Sequence, residues 1–294
     1  MPIRLAKKTG FCFGVKRAVT MAEAALKDRS AIYSLGSIIH NRQVVEGLSR
    51  RGLKVISDAR LLKKGRLVIA SHGISPKVAK AIAARGIKII DATCPFVLNA
   101  QKIAKRLSGE GYEVVIIGDA GHPEVKALVD FAPKRVYVVK DEKEARELKL
   151  KKGHRVSVIS QTTQSTENFL AVVGAILERK PKEIRIFNTI CKDAEERQAL
   201  AKELAGRVGL MLVVGGRDSA NTRRLYEVCK KVLKNSHLIE TEENLQRRWL
   251  KPGRSIGITS GASTPEWLVK RVVDRINLKL KAQNSKLQLK TKNF

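Results

Sequence analysis

Apolar and polar positions along the chain repeat in three similar stretches. Each stretch has a short apolar run, then a cysteine, and then apolar residues at the spacing of an amphipathic helix. The apolar runs occupy residues 3–5, 87–90 and 184–187, and the cysteines are Cys12, Cys94 and Cys191. The pattern predicts that each of these cysteines lies at a junction between a strand and a helix.

A second predicted strand and a polar loop containing glycine follow each of these helices. The interval from each cysteine to a polar residue of this loop is 28 residues: Cys12 to His40, Cys94 to His122, and Cys191 to Ser219. Three equal intervals indicate an internal threefold repeat.

Another apolar strand completes each stretch and ends in small polar residues. Two of these strands lead into Ser75-Pro76 and Thr264-Pro265, a pairing typical of a helix start. Alternating strands and helices predict an α/β fold of three pseudo-symmetric αβα units with mostly parallel sheets around a shared centre. Ligands of such sheets bind at the carboxyl ends of the strands, where the cysteines and polar loops are expected.

The repeat suggests boundaries near residues 93 and 190. The first unit is predicted to span 12–93, the second 94–190 and the third 191–280, with the N-terminal strand 1–11 completing the third sheet. Residues 281–294 are rich in lysine and contain no acidic residue, so we expect a disordered basic tail.

Composition narrows the class of protein. With 294 residues and 43% apolar content, the chain is expected to fold into more than one compact unit. No apolar run reaches the length of a membrane span and no signal-peptide core is present, so we expect a cytoplasmic protein. The net charge of +30 suggests an anionic ligand or partner.

The three repeat-matched cysteines can supply three thiolates to one centre on a pseudo-threefold axis. Their pattern favours a 4Fe-4S cluster with one iron left open, while a zinc site or simple burial are the alternatives. Cys229 has no counterpart in the other units and is expected to be structural. A zinc-dependent hydrolase therefore remains an alternative function. A basic nucleic-acid-binding protein is another, although only 4% of residues are aromatic.

Polar residues of the loops suggest an anion site beside this centre. His40, His72 and His122 are expected to bind a diphosphate through charge-assisted hydrogen bonds. The third unit is expected to contribute the neutral donors Ser219, Asn221 and Ser263. Glu124 is the candidate proton donor, or else an acid of the first turn of a helix that begins near Pro123.

These motifs together resemble the 4-hydroxy-3-methylbut-2-enyl diphosphate reductase family of the non-mevalonate isoprenoid pathway. The resemblance extends over nearly the whole chain and rests on these segments: Gly10-Phe-Cys-Phe-Gly-Val, Ile39-His-Asn, Ser71-His-Gly, Asp91-Ala-Thr-Cys-Pro, Gly121-His-Pro-Glu-Val, Gln161-Thr-Thr, Asn188-Thr-Ile-Cys, Arg197-Gln, Ser219-Ala-Asn-Thr and Gly261-Ala-Ser. Two departures are Ala220, where many relatives have a second serine, and an acidic segment after Cys191.

The resemblance implies an oxidoreductase that converts its substrate to isopentenyl and dimethylallyl diphosphate. It implies one 4Fe-4S cluster on the three cysteines, with an open coordination site on one iron. The six loop residues named above would bind the diphosphate, and Thr162 would also contact the substrate. Glu124 and Thr162 would deliver protons. The implied electron donor is a ferredoxin or flavodoxin. We expect a monomer or weak dimer with no membrane and no specific nucleic-acid partner.

Overall fold

The computed structural model describes residues 2–28, 30–150, 153–251 and 253–291, with side chains described as far as residue 282. The first part of the chain contains β1 (Ile3–Leu5), α1 (Phe13–Ala25), β2 (Ile32–Leu35), α2 (Arg42–Arg50), β3 (Leu53–Ile56), β4 (Arg66–Ile69), α3 (Pro76–Ala83) and β5 (Lys88–Asp91). The middle part contains α4 (Pro95–Gly109), β6 (Glu113–Ile117), α5 (Pro123–Phe131), β7 (Val136–Val139), α6 (Glu142–Glu147), β8 (Arg155–Ser160), α7 (Thr166–Leu177) and β9 (Glu183–Ile186). The last part contains α8 (Lys192–Ala205), β10 (Leu210–Val214), α9 (Ala220–Val232), β11 (Ser236–Ile239), β12 (Ile256–Ser260) and α10 (Glu266–Thr291).

The strands form three four-stranded sheets, and all the pairings are parallel. The strand orders are β3-β2-β4-β5, β7-β6-β8-β9 and β11-β10-β12-β1. In the third sheet β1 pairs with β12, with Ile3 opposite Ile256, and takes the edge position that β5 and β9 have in the other two. The predicted α/β class with three parallel sheets is therefore confirmed.

The chain forms two compact units: one is Phe13–Glu195, and the other combines Met1–Cys12 with Glu196–Phe294. The predicted boundaries at residues 93 and 190 stay predictions.

Within Phe13–Glu195, the central strand β6 is buried on both faces. Val114 and Ile116 pack with Leu128 in a cluster built on α4 and α5, whereas Val115 and Ile117 pack in a cluster built on α6 and α7. Such burial explains why β6 reads as a continuous apolar run rather than an alternating one. Each fully buried side chain of this size contributes about 1.5–3 kcal/mol, which fixes the strand and the loop that follows it.

The unit that contains residues 196–291 is built in the same way around β10. Met211 and Val213 pack toward α8 and α9, and Leu212 and Val214 pack toward α10. This alternation anchors the carboxyl ends of β10 and β12, where the polar residues of the third repeat lie.

The C-terminal segment differs from the sequence-based expectation. The helix α10 continues to Thr291 and so includes residues 281–291, which we expected to be disordered; residues 292–294 lie outside the described residues. Glycine and proline are absent from α10, and its Leu, Lys, Gln and Ala residues favour helix. The same helix begins at Glu266, after Pro265, and the Thr264 hydroxyl donates to the Val214 carbonyl oxygen at 3.0 Å.

The helices of the described residues include none with the length and apolar character that a membrane crossing requires.

Candidate active site

The backbone anchors all three candidate cysteines in the same way. The amide N–H of each cysteine donates to a carbonyl oxygen in the loop after β4, β8 or β12: Cys94 to Ser71 at 2.9 Å, Cys191 to Thr162 at 2.8 Å, and Cys12 to Ala262 at 3.0 Å. These loops also carry His72, Thr162 and Ser263. One backbone hydrogen bond thus joins each candidate cysteine to a loop that carries a candidate substrate-binding residue.

Cys94 lies at the N-terminus of α4 and has surroundings suited to a metal-bound thiolate. Burial raises the pKa of the Cys94 thiol, the backbone N–H groups of Phe96 and Val97 lower it, and the charge of Glu124 raises it. The position of Cys94 at a helix N-terminus therefore favours a thiolate there once a cation offsets its burial.

Cys191 has a matching environment before α8. Burial raises the pKa of this thiol, the N–H groups of Ala194 and Asp193 lower it, and the nearby charge of Cys94 raises it. The electrostatic effect of one thiol on the other places Cys94 and Cys191 in the same neighbourhood. Among the described residues, no group of three His, Cys, Asp or Glu side chains is placed to hold a metal ion.

Three imidazoles lie together in the unit Phe13–Glu195. The ring centroids of His40 and His72 are 5.5 Å apart, and those of His40 and His122 are 5.3 Å apart. The sequence repeat placed two of these residues at equal intervals from cysteines, and the fold brings all three side chains into one cluster.

His72 and His122, the buried members of this cluster, differ in the ring nitrogen that can donate a hydrogen bond to a ligand. The Nδ1 atom of His122 accepts a hydrogen bond from the Glu124 N–H at 3.2 Å, so its neutral form carries the proton on Nε2. The Nδ1 atom of His72 lies 3.0 Å from the Gly73 carbonyl oxygen, and burial lowers the pKa of His72. A neutral His122 can therefore donate from Nε2, whereas His72 gains a second donor only when an anion stabilises its charged form.

Glu124 lies in the first turn of α5 and is only 2% exposed. Its two carboxylate oxygens accept hydrogen bonds from the N–H of Thr162 at 2.6 Å and from the Thr162 hydroxyl at 2.8 Å. Burial raises the pKa of Glu124 to about 7, although both bonds from Thr162 lower it. Such a carboxyl group can hold a proton at neutral pH and release it.

The other unit contains the remaining candidate residues. Ser219 is the N-cap of α9, and its hydroxyl oxygen accepts from the Thr222 N–H at 3.3 Å. Asn221 is 4% exposed, yet neither atom of its side-chain amide has a hydrogen-bond partner among the described residues. Buried amides are normally paired, so an unpaired amide at this position is unusual. Ser263 is likewise buried, at 5% exposure.

The sequence of this chain matches a model of a known protein family. The model described as LytB protein matches residues 3–277. The chain belongs to the LytB protein family.

Members of the LytB family with similar sequences carry one name. The 4-hydroxy-3-methylbut-2-enyl diphosphate reductase of Geobacter metallireducens is 46% identical, over 94% of this chain and 97% of its own length. The enzyme of the same name from Pelobacter propionicus is 47% identical, over 94% of this chain and 98% of its own length.

Two solved structures also resemble this LytB chain. One is the E-1-hydroxy-2-methyl-but-2-enyl-4-diphosphate reductase of Plasmodium falciparum, with a TM-score of 0.88 and 28% identity over 93% of this chain and 87% of that one. The other is described as (E)-4-hydroxy-3-methyl-but-2-enyl diphosphate reductase, the terminal enzyme of the non-mevalonate pathway. It has a TM-score of 0.66 and 40% identity over 94% of this chain and 99% of that one.

The LytB fold distributes the predicted site residues over both compact units. Phe13–Glu195 contains Cys94, Cys191, His40, His72, His122, Glu124 and Thr162, and the other unit contains Cys12, Ser219, Asn221 and Ser263. The roles of these residues stay predictions. Cys229 is fully buried, and burial raises the pKa of its thiol to about 12, as suits a structural residue.

The sequence analysis assigned no role to two residues that contact the Cys94 region in this LytB chain. Gly14 packs against the Cys94 side chain, and Arg17 donates to carbonyl oxygens of the loop that precedes Cys94. Both contacts join segments more than 70 residues apart, and no local pattern in the sequence indicates them.

Proposed function

We propose that this chain catalyses the reductive dehydroxylation of 4-hydroxy-3-methylbut-2-enyl diphosphate to isopentenyl and dimethylallyl diphosphate. Two electrons and two protons enter, a carbon–oxygen bond breaks, and water leaves. The similar relatives named above support this activity. The observation that carries the proposal is the repeated hydrogen bond from each cysteine amide to a loop with a candidate substrate-binding residue.

Cys12, Cys94 and Cys191 would hold the cofactor, one 4Fe-4S cluster with an open position on one iron. Their chemistry fits such a group, because thiolates are the usual ligands of iron–sulfur clusters and the backbone N–H groups at the starts of α4 and α8 lower the pKa of the Cys94 and Cys191 thiols. When bound, the cluster would supply a Lewis-acidic iron and a route for the two electrons.

Binding of the diphosphate is assigned to His40, His72, His122, Ser219, Asn221 and Ser263. The imidazole cluster offers donors to several phosphate oxygens, and each charge-assisted bond contributes about 1.5–3 kcal/mol. The unpaired amide of Asn221 gains a partner when an oxygen-rich anion arrives. These residues hold the substrate in place rather than change its bonds.

Proton delivery is assigned to Glu124, with Thr162 as its partner. With its pKa raised to about 7, the Glu124 carboxyl group is protonated in a large fraction of molecules at neutral pH. The Thr162 hydroxyl donates to this carboxylate and can pass a proton between the carboxylate and the departing hydroxyl group. Loss of that proton leaves a carboxylate that the two bonds from Thr162 stabilise.

An acidic ferredoxin or flavodoxin would supply the electrons. The net charge of +30 favours the approach of an acidic protein and makes the association rate fall as salt is added. The zinc hydrolase and the nucleic-acid-binding protein need no such donor, and none of the similar relatives supports either alternative.

Anaerobic purification tests the proposal. We expect a brown protein with about four iron and four sulfide per chain. The reduced protein should convert the substrate to the two diphosphate products when a viologen dye supplies electrons. One zinc per chain, or an iron–sulfur protein that leaves this substrate unchanged, would refute the proposed function.

A further inference from the structure

We propose that Gly14 and Arg17 of α1 are positioning residues that fix the location and charge environment of the Cys94 sulfur. The inference rests on the proposed function, since it concerns how one cluster ligand is held. The helix α1 begins directly after Cys12 in the sequence. The helix that follows one proposed ligand in the chain would therefore hold a second one in space.

Arg17 fastens the loop between β5 and α4. Its Nη1 atom donates to the Thr93 carbonyl oxygen at 3.1 Å, and its Nη2 atom donates to the Asp91 carbonyl oxygen at 3.2 Å. The two bonds use the planar fork of a guanidinium group, which a lysine ammonium group cannot reproduce. Since Thr93 directly precedes Cys94, this fork restricts the backbone from which the sulfur projects.

Gly14 lets the first turn of α1 approach the sulfur itself. A Cβ atom at position 14 would lie 2.6 Å from the Cys94 Sγ atom and 3.0 Å from its Cβ atom. A distance of 2.6 Å is shorter than ordinary contacts between nonbonded atoms, so a side chain at this position would displace the sulfur. Gly14 has no positive φ angle, and the need for glycine here comes from this close approach alone.

Arg17 also acts on Cys94 through its charge. Its guanidinium group is hydrogen-bonded to the carbonyl oxygen of Thr93, the residue directly before Cys94, so a permanent positive charge lies beside this ligand's backbone. A permanent cation beside a thiolate ligand stabilises the extra negative charge of a reduced cluster. Partners that orient metal ligands commonly change metal affinity or activity by about 10–100-fold when they are removed.

The neighbouring side chain provides a matched control for charge. Lys16 precedes Arg17 on the same helix turn and is exposed, so Lys16→Gln removes the same charge from a site in contact with water. For the glycine, the control is Gly47→Ala in the middle of α2. A Cβ atom at position 47 would meet no neighbouring atom within 4 Å, so this change adds a methyl group to a helix without a clash.

The test compares reconstituted holoproteins in two measurements besides turnover: the rate of iron loss to a chelator and the midpoint potential of the cluster. Arg17→Gln should lose iron about 10–100-fold faster than wild type and have a more negative potential. Arg17→Lys should keep the potential near that of wild type, because the charge remains, but should still lose iron faster. Lys16→Gln should match wild type within about twofold in both, as expected for a screened surface charge.

Gly14→Ala keeps the inference testable if Arg17→Gln does not fold. It should lose iron faster than Gly47→Ala while both retain the circular dichroism spectrum of the wild type. The inference is overturned if Arg17→Gln equals Lys16→Gln in both measurements, or if Gly14→Ala equals Gly47→Ala. A wild-type protein that binds no cluster would instead refute the proposed function, and this inference with it.

Discussion

Replacement of Glu124 by glutamine should raise stability and abolish most of the turnover. Burial raises the pKa of Glu124 from 4.5 to about 7 in the folded protein. The folded state therefore binds the proton more tightly than the unfolded state, and ionisation of Glu124 opposes folding. Each pH unit of difference corresponds to about 1.4 kcal/mol, so the carboxylate costs up to about 3 kcal/mol above pH 7.

The sign of the pH dependence follows from the same pKa values. Below pH 4.5 the carboxyl group is protonated in both states and the cost vanishes; it grows between pH 4.5 and about 7 and is constant above that range. Glutamine cannot ionise, and its amide can still accept from the Thr162 N–H and donate to the Thr162 hydroxyl oxygen. The Glu124→Gln variant should therefore match wild type near pH 4.5 and exceed it by up to about 3 kcal/mol at pH 8.

Denaturant unfolding of the apoprotein between pH 4.5 and 8.5 measures this difference. The control is Glu203→Gln on α8, whose partner Arg207 is 65% exposed and whose ion pair should contribute little at any pH. The same Glu124→Gln change should lower kcat by about 10²–10⁴-fold with iron content unchanged, because it removes a general acid. A difference in stability that does not vary with pH would refute the reasoning about burial, and near-wild-type turnover would remove Glu124 from proton delivery.

Three further outcomes are expected. Serine at any of the three candidate ligand cysteines should lower the iron content per chain, while Cys229→Ser should leave it unchanged; equal losses in all four variants would contradict the assignment. His40→Ala should weaken binding of the diphosphate substrate by about 10-fold or more, as measured by calorimetry, since one charge-assisted bond contributes about 1.5–3 kcal/mol; unchanged affinity would exclude His40 from the anion site. Arg197 is 1% exposed and donates to the Ser260 carbonyl oxygen at 3.4 Å. Arg197→Met should therefore lower the free energy of unfolding, measured by denaturant titration, by about 1–3 kcal/mol. The control Arg207→Met, at an exposed position, should lower it by about 0.5 kcal/mol or less.

The secondary structure around the site could largely be predicted because local patterns determine it. Apolar runs buried on both faces, such as Val114–Ile117, are recognisable as strands, and helical spacing after each cysteine indicated α1, α4 and α8. The edge strands β3, β7 and β11 were not predicted. All three are short and only partly buried, and polar residues interrupt the apolar pattern of β3 and β11. The run Val136–Val139 of β7 is apolar throughout and was a signal that could have been used.

The candidate site was predicted only as a set of residue types at equal intervals. The interval of 28 residues linked each cysteine to a polar loop residue, but a spacing along the chain does not give the distances between side chains. The fold supplies those: the imidazole cluster around His40, the double hydrogen bond from Thr162 to Glu124, and the unpaired amide of Asn221. It also supplies the contacts of Gly14 and Arg17 with the Cys94 region.

The sequence by itself determined the α/β class, the threefold repeat and the candidate cysteines, since each depends on periodicity and spacing along the chain. The pairing of β1 with β12 agrees with the place predicted for the N-terminal strand, whereas only the tertiary structure decided that burial makes Glu124 bind a proton more tightly than an ordinary carboxylate does. Strand pairing and burial join residues far apart in sequence, and the free energy of an ionised group depends on the water that those distant residues exclude.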